Sequence, residues 1–319
     1  MILVTGGTGF IGRRLIERLL GGGRAVRASI RRRPPEPAAG TQAAVEVGDV
    51  NGDTDWTEAL HGASVVVHLA ARAHVMRDTA NDPLAEYRRV NVAGTINLAR
   101  QAAASGVRRF VFVSSIKAHG EVTGVGSAFS AASAPAPMDA YGLSKREAEQ
   151  ELAKLARDTG MEWVVVRPPL VYGPGVKGNF LALMRAVHRG MPLPLGAIYN
   201  RRSLVALDNL VDLLATCIDH RAAANRAFLV SDGSDLSTTE LLRRIGVALG
   251  RSARLIPVPE PLLRWGAKAL GQPAVAQRLC GSLQVDISET QRILDWAPPV
   301  TVDEGLRRTA EAFLYEEGV

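Results

Sequence analysis

The chain has 319 residues, 47% of them hydrophobic and 22% charged, and a formal charge of +6. That length carries a substantial core in one or two domains, and the composition is that of an ordinary globular chain, which excludes a disordered or fibrous protein. The basic residues are scattered apart from Arg31-Arg32-Arg33, with no aromatic-interleaved stripe, so nucleic acid is not expected as a partner and small phosphorylated ligands suit the charge better. No apolar run approaches the ~18 residues of a membrane span. Two cysteines, Cys217 and Cys280, lie far apart without metal-like spacing, so no metal is expected and free thiols in a reducing, cytoplasmic compartment are.

Met1 to Val4 is a short apolar run that predicts a buried parallel strand. A helix follows, with Ile11, Leu15 and Leu19 at helical spacing and Gly21-Gly22-Gly23 as its stop. Strands are predicted over Ala25 to Ile30, Ala44 to Val47 and Ser64 to Leu69, then a long helix from Pro83 to Ser105, with the proline suited to its first turn. Arg109 to Ser114 reads as a fifth strand. A helix from Asp139 carries Tyr141, Lys145, Glu149 and Leu152, and Trp163 to Arg167 is a sixth strand stopped by Pro168-Pro169. Alternating helices and continuous apolar strands predict an α/β fold with a doubly wound parallel sheet, the Rossmann fold.

Residues 1–169 are expected to form that dinucleotide-binding domain, with part of 203–231 returning to it. Residues 170–319, with a helix near Phe180 to Arg189, a strand near Ser203 to Ala206 and a last helix from Asp303, are expected to form a smaller substrate-binding lobe. The Ala/Ser/Pro-rich stretch Gly124 to Pro137 reads as a mobile surface loop.

The first chemical signal is Thr5-Gly6-Gly7-Thr8-Gly9-Phe10-Ile11-Gly12. Its glycines allow a tight turn, close approach of the backbone to a pyrophosphate and close helix–strand packing, and the N–H groups of the following helix then meet the negative charge. An acid about 20 residues on would bind a ribose 2′-hydroxyl. Here the position holds Ile30 and then Arg31-Arg32, which can pair with a 2′-phosphate, so NADP(H) is favoured, with NAD(H) as the alternative if those arginines form a solvated loop. Asp49-Val50, after the third strand, suits the adenine edge or else a cap for Asn51-Gly52-Asp53.

The second signal is Tyr141 and Lys145, four residues apart and hence on one helix face. A tyrosine near pKa ~10 is a poor base at neutrality, and a neighbouring ammonium is expected to lower that value. Ser115, just past the fifth strand, is placed to hold the reacting oxygen.

These motifs, with His68-Leu69-Ala70-Ala71, Asn91-Val92-x-Gly94-Thr95 and Arg167-Pro168-x-x-Val171-Tyr172-Gly173-Pro174, resemble the extended short-chain dehydrogenase/reductases of the nucleotide-sugar epimerase, dehydratase and reductase type, over nearly the whole chain. The resemblance implies Ser115 and Tyr141 as catalytic and Lys145 as assisting and as a ribose contact. It implies a cofactor site of Gly6, Gly9, Phe10, Ile11, Gly12, Arg31, Arg32, Asp49, Val50, Leu69, Ala70, Ala71, Asn91, Lys145 and Pro168. On the substrate side it implies Arg72, His74, Ser115, Asn179, Arg202 and Arg278. A homodimer through the Pro83–Ser105 and Asp139–Thr159 helices is also implied.

Ser115 is followed by Ile116-Lys117, where dehydratases of the family carry Asp-Glu, which argues against elimination of water. Two reactions stay open: a 4-keto reductase of the UDP-4-keto-6-deoxy-HexNAc type found in O-antigen and other surface-polysaccharide clusters, favoured by the arginines, and a UDP-hexose or UDP-N-acetylhexosamine 4-epimerase with tightly bound NAD. A non-catalytic NADP(H) sensor is disfavoured because both Tyr141 and Lys145 are present. His119, in place of a tyrosine common in the family, is expected to be structural, and Asp286-x-Ser288 is expected to cap a helix.

Overall fold

A computed structural model describes residues 1–32, 44–73, 82–124 and 126–318. Arg33 and His74 lie outside the described residues. Strand β1 (Ile2–Thr5) is buried throughout, as its uninterrupted apolar run requires, and it leads through the glycines into helix α1 (Phe10–Gly21). Strands β2 (Val26–Ile30) and β3 (Ala44–Glu46), the short helix α2 (Thr57–Leu60) and strand β4 (Val65–His68) follow. The predicted long helix is divided into α3 (Pro83–Tyr87), a wider π-turn over Arg88–Gly94, and α4 (Thr95–Ala104). Strand β5 (Arg109–Val113), helix α5 (Ala140–Thr159) and strand β6 (Glu162–Arg167) complete the alternation read from the sequence.

Beyond it lie β7 (Leu170–Tyr172), α6 (Gly178–His188), β8 (Leu204–Ala206), α7 (Leu207–Asp219) and β9 (Arg226–Leu229). Helices α8 (Thr238–Ala248), α9 (Glu260–Ala269), α10 (Pro273–Cys280), α11 (Ser288–Leu294) and α12 (Val302–Glu317) close the chain. Seven parallel strands form one sheet in the order β3-β2-β1-β4-β5-β6-β9, so this is a doubly wound Rossmann-like α/β fold. The order reverses between β1 and β4, and a ligand crevice opens at the carboxyl ends of strands at such a point.

Alternate strand residues feed two cores. Ile2, Val4, Val67 and Val111 face α1 and α7 on one side, where Leu15, Ile16, Leu210 and Leu214 meet them. Leu3, Val66 and Phe110 face the other side and pack on Leu98 of α4 and Leu152 of α5. A third core, with Tyr172, Phe180, Met184, Leu241 and Leu306, belongs to the second lobe around the two-stranded β7–β8 sheet.

Beyond residue 170 the chain returns to the large sheet at α7, β9 and α11. Helix α7 packs against α1, β9 pairs with β6 in register Val164 to Arg226, and α11 packs against β9. The indole of Trp296 donates to Asp212 Oδ2 of α7 at 3.0 Å, fastening this return. The loop from Gly124 to Pro137 differs from the mobile segment expected. Phe129 exchanges backbone hydrogen bonds with Gln284 and Asp286 and stacks on His119, with ring centroids 5.6 Å apart.

Candidate active site

The glycine loop has the shape its sequence predicts. Gly6 sits at φ +67°, and a Cβ there would lie 3.1 Å from Ala70 N. A Cβ on Gly12 would stand 2.2 Å from Gly6 O, so only glycine lets α1 pack this close to the β1 turn. Helix α1 begins at Gly9 with no side-chain cap, which leaves its first N–H groups free for an outside acceptor. Phe10 and Ile11 turn half-buried side chains onto the core beneath. An uncapped helix start over a cradle that side chains would fill is what a pyrophosphate needs, so these residues fit a dinucleotide.

At the far end of that cradle, Arg31 and Asp49 form an ion pair at 3.1 Å, with side chains 76% and 71% exposed. Arg31 is therefore matched by a carboxylate, unlike the unopposed arginine the sequence suggested. Arg32 is exposed. Val50 packs below, and a Cβ on Gly94 would come 2.7 Å from Val50 Cγ1.

Behind the loop runs a buried polar chain. Thr5 Oγ1 accepts from Leu69 N and Ala70 N, both at 3.1 Å, and meets His68 Nδ1 at 2.7 Å. With both N–H groups already donated to it, Thr5 gives its own proton to His68 Nδ1. The proton of the ring is then on Nε2, which donates to Thr95 Oγ1 at 3.1 Å, and Thr95 donates onward to Asn91 O at 2.7 Å. Burial, with a lesser push from the charge of Lys145, drops the His68 pKa to about 3, so the ring is neutral as this chain requires.

Asn91 stands in the π-turn, where the extra backbone residue aims it inward. Its Oδ1 accepts from Arg72 N at 2.8 Å, and its Nδ2 donates to Arg72 O at 3.1 Å and to Ser144 Oγ at 3.0 Å. It thus ties the segment after Ala71 to helix α5. The guanidinium of Arg72 lies over the ring of Tyr87 at 5.4 Å.

Ser115 and Tyr141 are brought into one place, the Ser115 hydroxyl lying near enough to favour the phenolate. Ser115 is held by its own turn, accepting from Lys117 N at 3.2 Å, while Pro168 O receives Ile116 N at 2.9 Å and fixes that turn against the end of β6. Asp139 begins α5 by accepting from Gly142 N at 2.6 Å and takes a second bond from Lys117 Nζ at 2.6 Å. The sequence signal for this clamp was Asp139 three residues before Gly142, and only the start of a helix was read there.

Lys145 is 2% exposed, donates to Val113 O at 2.9 Å and sits 4.5 Å over the ring of Phe112. Burial pulls its pKa down to about 7, with Glu149 opposing. Burial pushes the Tyr141 phenol well above its usual range, with the Ser115 hydroxyl pulling the other way. The lowering expected from Lys145 is not what acts on the phenol here: desolvation raises it, Asp139 and Tyr87 add to that, and only the Ser115 hydroxyl opposes.

Arg202, in the second lobe, is half-buried. It donates to Gly281 O at 3.0 Å, and burial lowers its pKa while the carboxylate of Glu121 raises it. Glu121 also accepts from Lys117 Nζ at 3.0 Å, which puts Arg202 on the side of the cleft where Ser115 lies. Asn179 is exposed in the first turn of α6, and Arg278 is exposed on α10. His119 is a buried neutral ring pulled down to about 4, beside the Arg167–Glu149 pair, with Arg167 Nη1 3.3 Å away. Asp286 Oδ1 accepts from Ser288 N at 2.9 Å, a cap-like bond at the start of α11.

A glycine cradle at a sheet's switch point, with a serine near a tyrosine and a buried lysine on the tyrosine's helix face, defines a dinucleotide-dependent enzyme of the short-chain dehydrogenase/reductase kind. Residues 2–231 match the NAD dependent epimerase/dehydratase family, and the chain belongs to it. It is 51% identical to a UDP-glucose 4-epimerase of Vibrio cholerae over 98% of this chain and 95% of that protein. It is 26% identical to an N-acetyl-alpha-D-glucosaminyl-diphospho-ditrans,octacis-undecaprenol 4-epimerase of Escherichia coli O157:H7, over 97% of this chain and 94% of that protein. Among solved structures it superposes on MoeE5 in complex with UDP-glucose and NAD with TM-score 0.78, 26% identity and 99% of both chains covered. A Thermotoga maritima UDP-glucose 4-epimerase shares the fold at TM-score 0.77 and 23% identity, with 99% of both chains covered.

Proposed function

We propose that this enzyme is a UDP-hexose 4-epimerase that works with NAD(H). The observation that carries the reading is the 51% identity to the Vibrio cholerae UDP-glucose 4-epimerase across nearly both full lengths. The nearness of Ser115 to Tyr141 supports it, as a pair placed to handle the proton of a sugar hydroxyl. The pairing of Arg31 with Asp49 supports NAD(H) over the NADP(H) favoured from sequence, since the carboxylate offsets the arginine and would repel a 2′-phosphate.

When bound, the nicotinamide supplies the hydride acceptor and, later, the hydride donor, together with the positive charge of its oxidised ring. As the phenolate, whose formation the positive nicotinamide ring would favour, Tyr141 would take the proton of the sugar C4 hydroxyl as the C4–H bond breaks, and would return it to the oxygen of the turned 4-keto sugar. Ser115 holds that oxygen through both halves. Lys145, with a pKa brought to about 7, needs little energy to carry or lose charge beside the phenol, so it helps the tyrosine change protonation state. Arg202 and Asn179 are assigned to the UDP diphosphate, and Arg72 to the sugar side. Helices α3 to α5 are assigned to a homodimer contact, which sedimentation velocity tests.

Incubation of the purified chain with UDP-glucose is expected to give UDP-galactose until the two reach equilibrium, without net change in NADH absorbance. Stoichiometric oxidation of NADPH by a UDP-4-keto-6-deoxy-HexNAc, with no interconversion of UDP-hexoses, overturns the epimerase in favour of the reductase that Arg31 and Arg32 first suggested.

A further inference from the structure

Helix α9 contributes no buried residue to any core, although its sequence is strongly amphipathic. Leu262, Trp265 and Ala269, spaced three and four apart, share one helix face. Leu262 is 59% exposed and Trp265 72%, and Leu270, just past the helix end, is 79% exposed. Ile256 before the helix and Val275 on α10 are also exposed large apolar side chains. Gly271, at φ +68°, turns the chain into α10, which packs against α9 and is anchored by the buried Ala276 and Cys280. The helical pair is therefore held on the lobe from one side and open on the other.

The charges around this apolar stripe are mostly positive. Arg264 and Lys268 lie on the adjoining face of α9, Arg278 is exposed on α10, and Arg254 is exposed just upstream. Glu260 on this helix is already engaged by Arg264 at 2.7 Å. An exposed tryptophan and leucines bordered by Lys and Arg form the pattern of a helix lying in a lipid headgroup layer, with the apolar face sunk and the cations at the phosphates. A second copy of this chain suits the patch less well, because its cations would face each other and one ten-residue helix offers far less than the roughly 800 Å² per partner of a standard interface. Lack of a long apolar run speaks only to crossing a bilayer, so it leaves this peripheral contact open.

We propose that the α9–α10 hairpin docks the enzyme on an anionic phospholipid bilayer. The hairpin runs directly into Gly281, whose carbonyl receives Arg202, so a docked bilayer would lie one short segment from that side of the cleft. The inference goes beyond the reaction assigned above and stands without it.

Flotation of the full chain with phosphatidylglycerol/phosphatidylcholine vesicles tests it. The chain is expected to float with them at low salt, less so at high salt, and not with pure phosphatidylcholine. Of its four tryptophans Trp56 and Trp296 are buried, so a blue shift of emission on binding reports mainly Trp265. The variant Leu262→Glu/Trp265→Glu is expected to lose flotation while keeping its turnover in solution. Lys268→Gln is expected to bind about fivefold more weakly, and Tyr315→Glu, an exposed aromatic on α12, to bind as wild type. Failure of wild type to float on anionic vesicles, equal flotation of the double variant, or loss of a solution dimer in that variant without vesicle binding by wild type overturns the proposal.

Discussion

The proposed catalytic residues and the proposed substrate-side residues are held in opposite ways. In the Rossmann half, the candidate chemistry is backed by buried side chains in fixed chains of hydrogen bonds, from Thr5 through His68 and Thr95 to Asn91 and Ser144. In the second lobe, Asn179 and Arg278 stand exposed, and Arg202 is held mainly by one backbone carbonyl. A buried network costs several kcal/mol to break and so fixes geometry within the chain. An exposed or singly held cation is free to answer a ligand's shape. Under the proposed assignment the contrast is a division of labour: reaction geometry is preset by folding, and substrate grip is completed on binding.

The sharpest way to break that comparison is at the tyrosine. Tyr141→Phe keeps the buried ring but removes the proton carrier, and turnover is expected to fall about a thousandfold with cofactor binding retained in a fluorescence titration. Retained turnover would remove the Ser115–Tyr141 pair from the chemistry. Next in size, Arg202→Ala removes a cation from the open lobe and is expected to weaken UDP binding about thirtyfold while leaving NADH affinity unchanged. Calorimetric titration with UDP and with NADH separates the two, and a matching loss for NADH would mean the lobes are not independent.

The buried histidines sharpen the comparison through pH. His68 and His119 titrate below their unfolded values in the folded chain, at about 3 and about 4. The unfolded chain therefore takes up protons first as pH drops below about 6.5, and stability is lost on acidification through that window. From pH 7 to pH 5 each ring is expected to cost about 2 kcal/mol. Urea melts at the two pH values should show a smaller drop in His119→Gln, and an unchanged drop would mean that ring does not resist protonation. The smallest effect is expected at Arg31. Its exposed pair with Asp49 contributes about 0–1 kcal/mol, so Arg31→Ala should alter NADH affinity by less than about threefold. A large selective loss of NADPH binding would restore the 2′-phosphate reading.

Much of the sheet was legible because each strand is a short apolar run between glycines and helices, and burial on both faces leaves no other home for it. Helix α7 was not read, although Leu210, Val211, Leu214 and Ile218 recur at helical spacing, because its role depends on packing against α1 some 190 residues earlier in the chain. The loop near Phe129 looked mobile for the same reason: its composition is that of a turn, and its partners lie about 155 residues further on. Such long-range pairings leave no local spacing to read.

The sequence by itself determined the nature of the dinucleotide cradle, since only glycine tolerates the left-handed turn at Gly6 and the contact at Gly12. It also determined the common helix face of Tyr141 and Lys145, because helical pitch sets that spacing. Tertiary structure alone decided how their protons are held: a phenol raised and an amine lowered by burial, an arginine matched by Asp49, and a histidine chain reaching Asn91. Desolvation and charge pairing depend on what surrounds a group in space, and the surroundings come from strands far apart in the chain.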